Sequence, residues 1–331
     1  MAFRVLVASS TYVGDDWNYL CDGVADQLEI QNAIDYLDQA HSGGIVELTY
    51  GTFTTAATIN MRANVEVRGA GVSTIIAGAS GIRVFTITSV ADAVLADMKV
   101  TGTTLATILA TTANNLAIRR ITVSGGSIGI STTSAGSGLV VEGCDISGQS
   151  AGGIDVGHSG TIDIRNNKIY SMTSATGIYG IRLNDLADTA DFRVTGNEIY
   201  DLEMTGTGVA IGIETSIFRT ALIQDNFIHD LYAIGDSTGR AIGIGSTSAG
   251  TNAMSAIGNT IVKILSLNSG LYSSGLSVGI LASQDNQVIE SNAAKNCDVG
   301  IHVLNSSVDK AYVSGNFAQD NGQLIDRGGC E

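Results

Sequence analysis

Apolar and polar residues alternate in short bursts along this chain, and the bursts recur. Thr161-Ile162-Asp163-Ile164-Arg165 leads through Asn166 into Asn167-Lys168-Ile169; after a polar turn, Gly180-Ile181-Arg182-Leu183 alternates again. Period-two alternation puts successive side chains on opposite faces of a β-strand. The Asn-x-Ile (or Asn-x-Ala) element returns at Asn197/Ile199, Asn226/Ile228, Asn259/Ile261, Asn292/Ala294 and Asn316/Ala318. The Gly-Ile element returns at Ile130, Ile154, Ile213, Ile244, Ile280 and Ile301, each preceded by glycine. Upstream, Met98, Ile121 and Cys144 stand where the asparagine would.

Short strands that recur every few tens of residues predict stacked coils. With Ile118, Val141, Ile164, Val194, Ile223, Ala256, Ile289 and Val313 as equivalents, the coils are 23, 23, 30, 29, 33, 33 and 24 residues long. A parallel β-helix accommodates that variation, because insertions fall in its turns. The predicted fold is all-β, a single-stranded right-handed parallel β-helix of about ten coils. Its isoleucines and valines fill one long narrow core. Its asparagines stack inside a turn, each amide satisfying the next coil's. One domain spans 1–331, with an arm and capping helix over 1–42 and coils over 43–331.

The helix is predicted over Asp26 to Ala40. Asp26 and Glu29 have the spacing of a capping box, and Leu28, Ile30, Ala33, Ile34 and Leu37 form a helical stripe. Laid over the first coil, it would cover a strand edge otherwise open to pairing. His41, just after the helix, is expected to be solvated.

Composition narrows the function classes. Gly 41 and Pro 0 suit tight turns between ladder-forming strands. A net charge of −15 and a pI near 4.5 argue against nucleic acid, which needs clustered Lys and Arg. A polyuronate would need a local basic patch or a bridging cation. Four cysteines do not make a disulfide framework; Cys144 reads as a buried thiol, and pairing of Cys297 with Cys330 stays open. No apolar run is long enough to insert into a membrane. Met1 to Ala8 is too short, and lacks the basic start, for a signal peptide. The expected setting is extracellular or virion-associated, reached through a leader absent from this chain or by release within a virus particle.

Cys21-Asp22-Gly23-Val24-Ala25-Asp26-Gln27, Ile30-Gln31-Asn32-Ala33-Ile34-Asp35, Gly43-Gly44, Gly51-Thr52-Phe53 and Val67-Arg68-Gly69-Ala70-Gly71 resemble the opening of pectin-lyase-like right-handed β-helix proteins. That superfamily includes polysaccharide lyases, polygalacturonase-type hydrolases, epimerases and phage tail-spike depolymerases. The resemblance covers roughly the first quarter of the chain and departs at Leu48-Thr49-Tyr50-Gly51, where the family usually has prolines. It implies fold more than chemistry. After Val313 no helix is long enough to cap the last coil, and an uncovered parallel edge invites pairing, so a homo-oligomer (a trimer, by resemblance to tail spikes) or another partner is expected to complete it.

One turn lengthens coil by coil. From the Asn-strand isoleucine to the Gly-Ile isoleucine the separations are 8 (Ile146–Ile154), 12 (Ile169–Ile181), 14 (Ile199–Ile213), 16 (Ile228–Ile244) and 19 (Ile261–Ile280) residues, then 7 (Ala294–Ile301). Such a wall beside the Gly-Ile sheet predicts a groove, since loops raised on a rigid scaffold carry binding sites. Residues after each Gly-Ile isoleucine should face it: Ser131, Asp155, Arg182, Glu214, Gly245, Leu281 and His302.

Asp155, Arg182 and Glu214 are the candidate catalytic residues, with His158, Asn184, Asp185 and Ser216 as candidate substrate contacts. Two strand spacings put Asp155 and Glu214 roughly 9–10 Å apart at the backbone, close to the roughly 6.5–9.5 Å of an inverting glycosidase. Arg182 between them would oppose a protonated acid. By resemblance to Ca²⁺-dependent lyases of this fold, Asp155, Glu214 and Asp185 would instead hold Ca²⁺ while Arg182 takes the proton; otherwise no cofactor is expected. A third possibility is an ion-pair ladder that satisfies itself. Tyr170, Tyr200 and His229 share one column and read as a stacked outer row. The function classes are a polysaccharide hydrolase or lyase and a non-catalytic glycan-binding or structural β-helix.

Overall fold

The inward isoleucines do stack coil on coil. The computed structural model describes residues 3–102, 104–134, 136–184, 189–216, 218–235, 239–246, 253–266, 277–283, 287–303, 312–319 and 321, and the backbone of 323–327. In it Ile118, Val141, Ile164, Val194, Ile223, Ala256, Ile289 and Val313 are paired in register on parallel strands. So are Ile130, Ile154, Ile181, Ile213, Ile244, Ile280 and Ile301. The second column belongs to an 11-stranded sheet running from Ile59–Asn60 to Gln323–Arg327. The first lies in a 22-stranded sheet that bends at the asparagines, so each coil presents three strand positions. Ile178–Leu183, Asp191–Thr195 and Glu198–Met204 make one such coil.

The asparagine corner turns on a single residue. Asn166 (φ 55°), Gly196 (φ 63°), Asp225 (φ 53°) and Gly258 (φ 65°) sit in the left-handed region that Gly, Asn and Asp tolerate best. The next residue points inward. Asn197 Nδ2 donates to Asn226 Oδ1 (2.9 Å), Asn226 Nδ2 to Asn259 Oδ1 (3.0 Å) and Asn259 Nδ2 to Asn292 Oδ1 (2.9 Å). Asn167 tops the ladder, and its Oδ1 accepts the amide of Cys144. The predicted ladder is present, with the thiol of Cys144 buried at its head.

The helix runs Gln27–His41 and buries Ile30, Ala33, Ile34 and Leu37. Two expectations fail here. Leu28 is 58% exposed, because the buried face begins at Gln27, whose Oε1 accepts the amide of Ala56. Asp26 forms no side-chain cap: its carboxylate accepts the amides of Gly23 (2.8 Å) and Thr54 (2.7 Å), pinning the helix start to the first coil. Gln31 exchanges two hydrogen bonds with the backbone of Asn60, so amide side chains of the helix occupy the free edge of the 11-stranded sheet. His41 is half-buried and stacks on the exposed Phe3, ring centroids 3.6 Å apart.

Cys21, Cys144 and Cys297 are free and buried; Cys330 lies outside the described residues. Among the described residues no helix is long and apolar enough to cross a membrane.

Candidate functional site on the outer face of the Gly-Ile sheet

The Gly-Ile motif has a packing cause. A Cβ on Gly180 would lie 2.6 Å from both the Gly212 carbonyl oxygen and Ile199 Cγ2, and the same crowding recurs at Gly153, Gly212 and Gly243. The glycine and the following isoleucine therefore both face the core, and the residues flanking this pair both face out. Each strand thus shows two outward side chains close together, such as Tyr179 and Arg182. The outer columns run Gly152, Tyr179, Ile211 and Asp155, Arg182, Glu214 on three consecutive strands.

The ladder is real and tightly bonded. Arg182 Nε donates to Asp155 Oδ1 (2.9 Å) and its Nη2 to Asp155 Oδ2 (2.6 Å), a two-pronged pair with the Asp155 side chain 15% exposed. The guanidinium also lies over the Tyr179 ring, 4.3 Å from its centroid. Hydrogen bonding to Asp155 pushes the Arg182 pKa up. Burial, then the Asp155 charge, pushes the Tyr179 phenol up. A group must shed its proton before it can act as a base, so both shifts oppose that role at neutral pH.

Tyr179 starts a feature that alternation alone does not show. Tyr179, Ile211, Ile242, Val278 and Leu281 form a second apolar cluster outside the core, each buried. Gly152 makes room for it, since a Cβ there would lie 2.1 Å from Tyr179 Cε2. Beside this cluster opens a depression of about 490 Å³ lined by Ile128, Ala151, Tyr179, Val209, Ile211, Arg182 and Glu214, with Thr176, Gly177 and Gly208 of the lengthening turn at its rim.

Arg182 and Glu214 therefore line one depression, with Asp155 behind the arginine. Asn184 and Ser216 continue the ladder at the far strand ends, their amides on Val156 O (2.8 Å) and Leu183 O (2.9 Å), and do not line it. His158 is a correction. It is fully buried in the next corner, where its Nε2 reaches over Gly136 to within 2.8 Å of the Ala113 carbonyl oxygen. A side chain without solvent exposure there contacts no substrate. Asp185 lies outside the described residues, as do the longer turns of the wall at 236–238 and 267–276.

Calcium fits poorly at this ladder. Both Asp155 oxygens are taken by Arg182, and a cation would have to displace the guanidinium. Among the described residues the carboxylate and thiol cluster with ligand-like spacing is Cys21, Asp26 and Glu29, far along the chain, where Asp26 already accepts two backbone amides. Comparable ion pairs recur away from this depression: Arg165 pairs Glu142 and Arg120 pairs Asp97. On the other face Tyr170, Tyr200 and His229 stack at 5.1 and 4.8 Å, as their shared column predicts.

The parallel register and the one-residue asparagine corners define a right-handed parallel β-helix. A family model described as a right-handed β-helix region matches residues 55–216. The chain is similar to the A-module of mannuronan C-5 epimerase AlgE6 of Azotobacter vinelandii, with 18% identity, 93% of each chain covered and a TM-score of 0.58. It is also similar to PfbA, a surface adhesin of Streptococcus pneumoniae (12% identity, 92% of this chain and 89% of that one, TM-score 0.54). A third likeness is to the Dettilon tailspike protein (15% identity, 96% of this chain and 68% of that one, TM-score 0.55). At these identities the likeness is one of fold. No curated protein sequence matches the chain significantly.

Proposed function

We propose that this β-helix recognises a glycan laid across the outer face of the Gly-Ile sheet, in a cell-surface or virion setting. The observation that carries the reading is the depression at Tyr179, Arg182, Val209, Ile211 and Glu214, built on rigid strands and rimmed by the lengthening turn. Its lining joins apolar surface to a few convergent polar groups, the usual make-up of a small-ligand site. Its residues come from four consecutive coils, so it extends over about three strand spacings of ~4.8 Å, the reach of a short oligosaccharide.

Hydrolysis is the second reading, favoured by Asp155 and Glu214 standing two strands apart. Binding comes first because both Asp155 oxygens already accept from Arg182, so Asp155 is not free to serve as the second carboxyl. A glycan array, with reducing and unsaturated ends assayed on every hit, separates the two. Binding without new ends supports recognition. Turnover that Glu214→Gln abolishes would replace it with catalysis. The absence of both binding and turnover would refute the proposal.

A further inference from the structure

The charge of this site is set from within, and that bears on the glycan it accepts. The inference rests on the glycan-binding reading. Among the described residues Arg182 is the one cationic side chain lining the depression, and Glu214 adds a carboxylate to the same lining. The arginine's charge is already met: Nε and Nη2 are both given to Asp155, and its face lies on Tyr179. Asp155 is on the strand before Arg182 and Glu214 on the strand after, so the cation stands between two carboxylates in register. The chain around them has a net charge of −15.

A uronate or sulfated sugar entering this site would meet no uncompensated cation. It would have to pull Arg182 from a charge-assisted pair or approach against net negative charge, and like-charge juxtaposition is an effective bar to a wrong partner. An uncharged sugar incurs neither cost. It can lay an apolar ring face on Ile128, Val209 and Ile211 and direct hydroxyls to the carboxylate and the remaining guanidinium N–H groups. We infer that the site takes uncharged glycan, and that Asp155 sets this selectivity by neutralising Arg182.

Asp155→Asn keeps the shape and removes one negative charge, releasing Arg182 from its two-pronged pair and leaving Glu214 as the one carboxylate in register beside it. The experiment compares wild type and Asp155→Asn on an array of neutral, acidic and amino-sugar glycans. Binding of trigalacturonate is then titrated at low and moderate salt, with circular dichroism as a check of fold. Expected are neutral hits for the wild type, no trigalacturonate binding, and a gain of at least tenfold in trigalacturonate affinity for Asp155→Asn that salt weakens. Wild-type binding confined to acidic or amino-sugar glycans overturns the selectivity and leaves glycan recognition standing. A folded Asp155→Asn without gain overturns the role of Asp155. If the variant does not fold, the wild-type panel alone decides. Absence of any glycan hit removes the binding reading and the inference with it.

Discussion

Replacing Asn226 with leucine removes one link from the middle of the asparagine ladder. Asn226 Oδ1 accepts both the backbone amide and the side-chain amide of Asn197, at 3.0 and 2.9 Å. Its Nδ2 donates to the Val194 carbonyl oxygen (2.9 Å) and to Asn259 Oδ1 (3.0 Å). The Asn197 side chain keeps Ile164 O as acceptor, and Asn259 Oδ1 keeps the Asn226 backbone amide. The Gln224 carbonyl also loses Asn226 Nδ2 but keeps the Gly196 amide, so the groups left without a replacement are the amide of Asn197 and the carbonyl of Val194. Two orphaned buried groups at about 1–3 kcal/mol each cost about 2–6 kcal/mol. Leucine is similar in size and returns about 1.5–3 kcal/mol of apolar burial. The net expectation is a loss of about 2 kcal/mol, read from urea unfolding at constant m-value. Faster hydrogen exchange at the Asn197 amide should accompany it. Asn316→Leu, at the half-buried end of the ladder, should cost less. An Asn226→Leu chain as stable as wild type, with Asn197 still protected, would refute the account of the ladder.

Other predictions follow from burial and close approach. Gly180→Ala places a methyl against the Gly212 carbonyl and Ile199, and should destabilise by about 1–3 kcal/mol in the same urea assay. Burial lowers the pKa of His158. The unfolded state therefore takes the proton first as pH falls, and this contribution to stability is full above the unfolded value of about 6.5 and declines below it. His158→Gln should flatten the loss of stability between about pH 7.5 and 5 relative to wild type; an unchanged slope would contradict it. Burial pushes the thiols of Cys144 and Cys297 up to about 12, so peptide mapping after alkylation at neutral pH should find both unmodified until denaturant is added.

Much of the coil architecture is legible in the sequence because the inward positions are chemically narrow. Ile, Val and Ala recur where the core lies, and one polar residue, asparagine, repeats where the corner turns. That suffices to set the registers from Ile118 to Val313. The candidate site is less legible, because glycine carries no side chain to mark its direction. Tyr179-Gly180-Ile181 and Ile211-Gly212-Ile213 look like apolar runs, yet the residue before each glycine faces out and builds the second cluster. An apolar residue on both sides of these glycines, Gly153 excepted, is the available signal. His158 looks like a strand-end residue beside Asp155, but the chain has already turned the corner, and the absent side chain of Gly136 lets the imidazole fold in. Asp26 has the spacing of a helix cap; its partners, Gly23 and Thr54, are set by coil stacking that local sequence does not show.

The central claim is that the depression on the Gly-Ile sheet is where glycan binds. Val209 lines it and is only half-buried, so Val209→Trp fills it from the edge with little disturbance of the core. Calorimetric titration of the strongest array hit into wild type and into Val209→Trp, with melting temperatures matched, is the direct measurement. The account predicts at least a tenfold loss of affinity in the variant; undiminished binding with the depression filled would contradict it.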